Sequence, residues 1–134
     1  MQAINDLIES RFVDQVDYVH ALQSLNSFLE ESSISPKEIE FTPYRLAEIF
    51  SKHVKDENSI SLLINTLCSS KPQLLVPNYY FEHHDEVVDL EESEVYSYFF
   101  KDCSISPVTG ESLEDAKDHI FVVYYLSSEA LSDD

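Results

Sequence analysis

Glycine is almost absent from this 134-residue chain, with Gly110 the single one. Without a glycine-rich loop there is no backbone cradle for phosphates, which excludes P-loop and dinucleotide-binding readings. Cysteine is scarce too. Cys68 and Cys103 fall in different expected elements, too few for a disulfide scaffold, so two reduced thiols in a cytosol are expected. No apolar run approaches the roughly 18 residues that a membrane-spanning helix needs. The opening MQAINDLIESRF carries Asp6 and Glu9 where a secretory leader would be basic and then apolar, so the expected location is cytoplasmic. Basic residues are the most telling shortage: eight Lys and Arg stand against 26 Asp and Glu, for a net charge of −18. A chain this poor in cations cannot replace the counterions of DNA, RNA or an anionic bilayer, so neither nucleic acid nor membrane is an expected partner.

What is present is acid, unevenly spread, and ample apolar material. Residues 1–81 hold eleven acids and six bases; residues 82–134 hold fifteen acids and two bases, Lys101 and Lys117. Hydrophobic residues make up 43%, with eight Tyr and eight Phe, enough for a core, so the acidity does not imply disorder. The length fits one domain, or two very small ones sharing a core.

Helical spacing dominates the first half. Phe12, Val16, Val19, Leu22, Leu25 and Leu29 recur at steps of three and four, widened by Val13 and Phe28, and predict helix over 3–31 with a break near Arg11. Thr42-Pro43 is a helix start, a hydroxyl cap followed by proline, leading the stripe Tyr44, Leu46, Ala47, Phe50 and Val54. Asp56 caps a further helix over about 57–69, with Ile60, Leu63, Ile64 and Leu67 on one face and Pro72 beyond its end. The period then changes. Leu74–Val76, Tyr79–Phe81 and Val87-Val88 read as strand, as does the aromatic run 95–100, although Glu91–Glu94 could start a short helix there. Ile120–Leu126 is β-branched and aromatic throughout and predicts a strand buried on both faces. Ser127–Asp134 reads as a frayed polar tail.

Helices first and strands second indicate an α+β fold. Two short helices meeting at a tight corner, followed by a strand pair, have the layout of a winged helix-turn-helix. The expected organisation is a helical, winged-helix-like region over 1–81 and an acidic module over 82–134, a small antiparallel β layer packed on it. The segment Leu74-Leu-Val-Pro-Asn-Tyr-Tyr-Phe81, then Glu82-His-His-Asp-Glu86, Ser106-Pro-Val-Thr-Gly-Glu111 and the closing run 119–126 resembles small bacterial proteins with a winged helix followed by a zinc-ribbon-like module. In that family two Cys-Pro-x-Cys-Gly knuckles hold zinc. Here Ser106 and Thr109 stand at the second knuckle's cysteine positions, and neither is a competent ligand. The resemblance therefore implies a ribbon that has lost its metal, with an aromatic core in its place and Gly110 kept as a turn residue with positive φ.

The candidate sites are weighed on their chemistry. The expected recognition helix, 57–70, has no Lys or Arg, which speaks against DNA. His83-His84 beside Asp85 and Glu86 offers metal-ligand types, but too few converge, and an exposed hairpin loop is the plainer reading. Cys103 has only Lys101 beside it to favour a reactive thiolate, and Cys68 sits on an apolar helix face as a small core residue. No EF-hand spacing exists for calcium. The acids Asp85, Glu86, Asp89, Glu91, Glu92 and Glu94, with Glu111, Glu114, Asp115 and Asp118, lie in predicted loops, where water keeps carboxylates ionised, so they are poor catalytic acids. They form either a solvated face or an anionic surface that docks on a basic protein. Tyr96 and Tyr98 would anchor such a surface if alternate residues of 95–100 face outward.

The function these residues suggest is a non-catalytic adaptor or accessory subunit of a multi-protein complex, such as a bacterial defence complex, with a larger basic protein as partner. The alternative is an immunity protein, antitoxin or DNA mimic that blocks the nucleic-acid site of a toxin or enzyme. No enzyme activity, metal or cofactor is expected.

Overall fold

A computed structural model describes residues 1–132. It has the α+β architecture expected, with most helices in the first half and a small three-stranded antiparallel sheet in the second. The chain forms two compact units, Met1–Val76 joined by the chain from Tyr124 onward, and Pro77–Val123.

In the first unit, a short helix α1 (Gln2–Ser10) and a longer one α2 (Val16–Glu31) lie on either side of the break expected near Arg11. The break comes where both Arg11 and Phe12 donate their N–H to the Leu7 carbonyl, at 2.9 and 3.2 Å, which closes α1. Residues 11–15 are therefore non-helical, and Val13 and Val16 are exposed and not part of the apolar stripe. α3 (Pro43–Phe50) starts at Thr42, whose Oγ1 accepts from Arg45 N–H at 3.1 Å. α4 (Glu57–Ser69) starts at Asp56, whose Oδ2 accepts from Ser59 N–H at 3.1 Å. Both caps satisfy helix-end donors that would otherwise be orphaned. Leu22 and Leu25, Leu46 and Phe50, and Leu63 and Leu67 meet in one core with Phe41 and Leu74. Each such side chain contributes about 1.5–3 kcal/mol by leaving water. Tyr44, expected in the α3 stripe, is instead exposed.

The end of the chain corrects two expectations. A division at residue 81 assigns the chain from Tyr124 onward to the second unit, yet it belongs to the first. Phe41 and Tyr124 exchange two backbone hydrogen bonds of 2.8 Å, and Leu126 and Ala130 are buried in the helical core. Nor is this segment a frayed tail. Ser127 Oγ accepts from Ala130 N–H at 2.9 Å and starts α6 (Ser128–Leu131). The last part of that expected tail, 133–134, lies outside the described residues.

The sheet has the order β2-β1-β3, with β1 (Leu75–His83), β2 (Glu86–Leu90) and β3 (Ile120–Leu126). β1 and β2 form a hairpin from Tyr79 opposite Leu90 to His83 opposite Glu86. Its two-residue turn has φ of +52° at His84 and +61° at Asp85, the signature of a type I′ turn. β3 is not buried on both faces: it is an edge strand, and Phe121 is exposed. The run 95–100 is not a strand. Glu91 and Glu94 form a reciprocal capping box, with Glu94 Oε1 accepting from Glu91 N–H at 3.0 Å, and this starts α5 (Glu92–Phe100). The second unit's core gathers Phe81, Leu90, Tyr98 and Ala116, with Val95, Cys103 and Leu113 against them.

Candidate functional site

The ten acidic candidates are all exposed: Asp85, Glu86, Asp89, Glu91, Glu92, Glu94, Glu111, Glu114, Asp115 and Asp118. Among the described residues none of the ten lies within ion-pair distance of a Lys or Arg; Asp115 Oδ1 is 3.6 Å from His119 Nε2, and the other nine have no cationic group of any kind within ion-pair distance. Some of them carry structural duties. Glu91 and Glu94 cap α5, and with Glu92 they place negative charge at its positive end. Asp85 sits in the left-handed turn of the hairpin.

Tyr98 does not join this surface. Because 95–100 is helical, Val95 and Tyr98 share the inward face, and Tyr98 is only 5% exposed. Its hydroxyl donates to the Ile105 carbonyl. Burial, followed by the nearby Cys103 and Glu94, raises its pKa above the ordinary phenol value. Tyr96 does face outward, and it brings companions that alternation along a strand could not have placed beside it. Tyr96, Phe99 and Phe100 are 53, 46 and 73% exposed, and the rings of Tyr96 and Phe100 lie 4.8 Å apart, one helical turn from each other. Glu92, a further turn back, lies on the same stripe. The signal that could have found Phe99 and Phe100 is the capping box at 91–94, which imposes a helical period of 3.6 on residues 92–100.

The two knuckle positions of the resemblance meet. His83 Nδ1 is 3.0 Å from Ser106 Oγ and 3.5 Å from Thr109 Oγ1. Ser106 Oγ in turn accepts from the N–H groups of Val108 and Thr109, and Gly110 turns the chain with φ of +76°. Two of the three converging atoms are hydroxyl oxygens, a poor donor set for zinc. Among the described residues no group of three or more His, Cys, Asp and Glu is placed to hold a metal ion.

His84 is exposed at the hairpin tip and packs its ring 4.1 Å from that of His83. These rings, with His119, Asp85 and Asp118, line a cleft of about 340 Å³. Burial pushes the Cys68 thiol up to about 11, the inert form expected of a core cysteine. In the first unit a groove of about 640 Å³ runs between α2 and α3, lined by His20, Ser24, Phe28, Arg45, Lys52 and His53, which no motif in the sequence marks. The outward positions of α4 carry no positive charge: Ser61, Leu62 and Asn65 are neutral and Glu57 is acidic. No helix among the described residues is long and apolar enough to cross a membrane. No protein-family model matches the chain, and neither does any curated protein or solved structure.

Proposed function

We propose that this chain is a non-catalytic acidic protein-binding module, an adaptor or accessory subunit that docks on a larger, basic protein in the cytoplasm. One observation carries the reading: nine exposed carboxylates of the second unit have no cationic partner among the described residues. Unpaired surface charge of one sign raises the local potential and speeds encounter with a partner of the opposite sign. Two free thiols suit a reducing compartment. A winged helix followed by a metal-free ribbon is part of the same proposal, made from the order α3, α4 and hairpin and from the contact of His83 with Ser106 and Thr109. The inhibitor and DNA-mimic readings use the same carboxylates, but they give the exposed rings of α5 no part.

The test uses acids with no structural duty. Asp89→Lys and Glu114→Lys are combined, leaving the acidic first turn of α5 intact. Wild type and variant are used to capture proteins from the host at low and high salt, and the association rate of the enriched protein is then measured. A basic protein that associates more slowly with the variant, and is lost at high salt, supports the docking role. Equal association rates, or no basic protein enriched by the wild type, overturns it.

A further inference from the structure

Between Pro77 and Val123 twelve carboxylates accompany two lysines, yet neither lysine lies within ion-pair distance of a carboxylate among the described residues. Both lie over aromatic rings. Lys101 Nζ is 5.8 Å from the centroid of Tyr96, and Lys117 Nζ is 6.0 Å from that of Phe99. Those are the exposed rings of α5. Resting on the docking role proposed above, we infer that the outward face of α5, formed by Glu92, Tyr96, Phe99 and Phe100, is the contact epitope, and that its occupant is an arginine-rich segment of the basic partner.

The reasoning is one of competing cation sites. A ring face attracts a cation through its quadrupole, and the field of the surrounding carboxylates adds to that attraction. Lys101 and Lys117 occupy these ring faces from within the chain. A strongly hydrated ammonium is the weaker ligand for such a face. A guanidinium is planar and less hydrated, stacks on rings, and can pair bidentately with a carboxylate at the same time. Glu92, one turn from Tyr96, provides that carboxylate. An arginine segment therefore displaces the two lysines and buries the 73%-exposed Phe100 at their expense, whereas a lysine segment of equal charge gains only the general field.

The experiment compares nona-arginine with nona-lysine by titration calorimetry against the full chain. Three proteins are used: the wild type, the combined Tyr96→Leu, Phe99→Leu and Phe100→Leu variant, and the combined Lys101→Gln and Lys117→Gln variant. The wild type is expected to prefer nona-arginine by about tenfold. That ratio should fall to about one in the leucine variant and rise in the glutamine variant, where the ring faces are open. The ratio cancels any change in overall charge, and the glutamine variant alters only exposed positions, so the test survives if the leucine variant folds poorly. Equal binding of the two peptides by the wild type overturns the ring epitope and leaves the acidic docking role standing. Binding of neither peptide overturns both. A wild-type dimer that the single change Phe100→Ser dissociates assigns the face to a second copy of the chain and also overturns the inference.

Discussion

Ser106 Oγ and His83 Nδ1, 3.0 Å apart, fix each other's proton. The serine oxygen already accepts from Val108 N–H at 3.2 Å and from Thr109 N–H at 3.3 Å, which fills its two lone pairs. Its single hydrogen must then go to His83, so Nδ1 is the acceptor and the imidazole carries its proton on Nε2. Nitrogen-detected NMR at neutral pH should show this tautomer; a protonated Nδ1 would refute the arrangement. Ser106 is 1% exposed, and Ser106→Ala leaves its partly buried N–H partners, those of Val108 and Thr109, short of an acceptor. The expected cost is about 1–3 kcal/mol in chemical denaturation.

The same three atoms define a test of ancestry. Ligand atoms around a tetrahedral zinc stand about 3.5 Å apart, and His83 Nδ1 is 3.0 and 3.5 Å from the oxygens of Ser106 and Thr109. Replacing Ser106→Cys and Thr109→Cys together should create a cobalt site with a thiolate charge-transfer band, while the wild type should purify without zinc. A variant blind to cobalt, or one zinc per wild-type chain, would argue against a ribbon that lost its metal.

Asp102 is poorly suited to its position. It follows α5 with φ of +52°, where the chain closes through Cys103 N–H to the Ser97 carbonyl at 3.2 Å. That left-handed position favours glycine, and a carboxylate there also opposes the negative end of the helix dipole. Asp102→Gly should raise stability by about 1–2 kcal/mol. Unchanged or lowered stability would show that the aspartate is held by something else.

The Cys68 thiol gives an alkaline signature. Burial holds it protonated up to about 11 against an ordinary 9.0, so the fold favours the neutral form. Its contribution to stability is complete below pH 9 and is lost as the pH rises through 11. In a Cys103→Ser background, alkylation at pH 8 should run about a hundredfold slower than for an exposed thiol, and Cys68→Ala should flatten the decline in stability between pH 9 and 11. Rapid alkylation of the folded protein would show the thiol to be accessible.

Much of the helical half is legible because its signals are local. Thr42-Pro43 and Asp56 are caps that act within one turn, and α3 and α4 begin where those residues place them. β3 is legible in extent, since its residues leave no helical alternative, but not in burial, which depends on its edge position in the sheet. The run 95–100 shows the limit. Its aromatic content favours a strand, yet a two-residue cap upstream commits it to helix, and that one change moves Tyr98 inward and Phe99 and Phe100 outward. The acids are legible as exposed, whereas the convergence of His83 with Ser106 depends on a fold over 23 residues that no local pattern encodes.

The unpaired acids should also be felt as strain on the fold. Twelve carboxylates against two lysines, both placed on rings, leave repulsion in the second unit that added salt can screen. The thermal midpoint should therefore rise steadily with sodium chloride at neutral pH. Asp89→Lys and Glu114→Lys, both at exposed positions, should reproduce part of that rise at low salt and reduce its slope. A midpoint indifferent to salt would mean that the carboxylates are far enough apart for water alone to screen them. The docking role would then depend on the rings of α5 more than on the field around them.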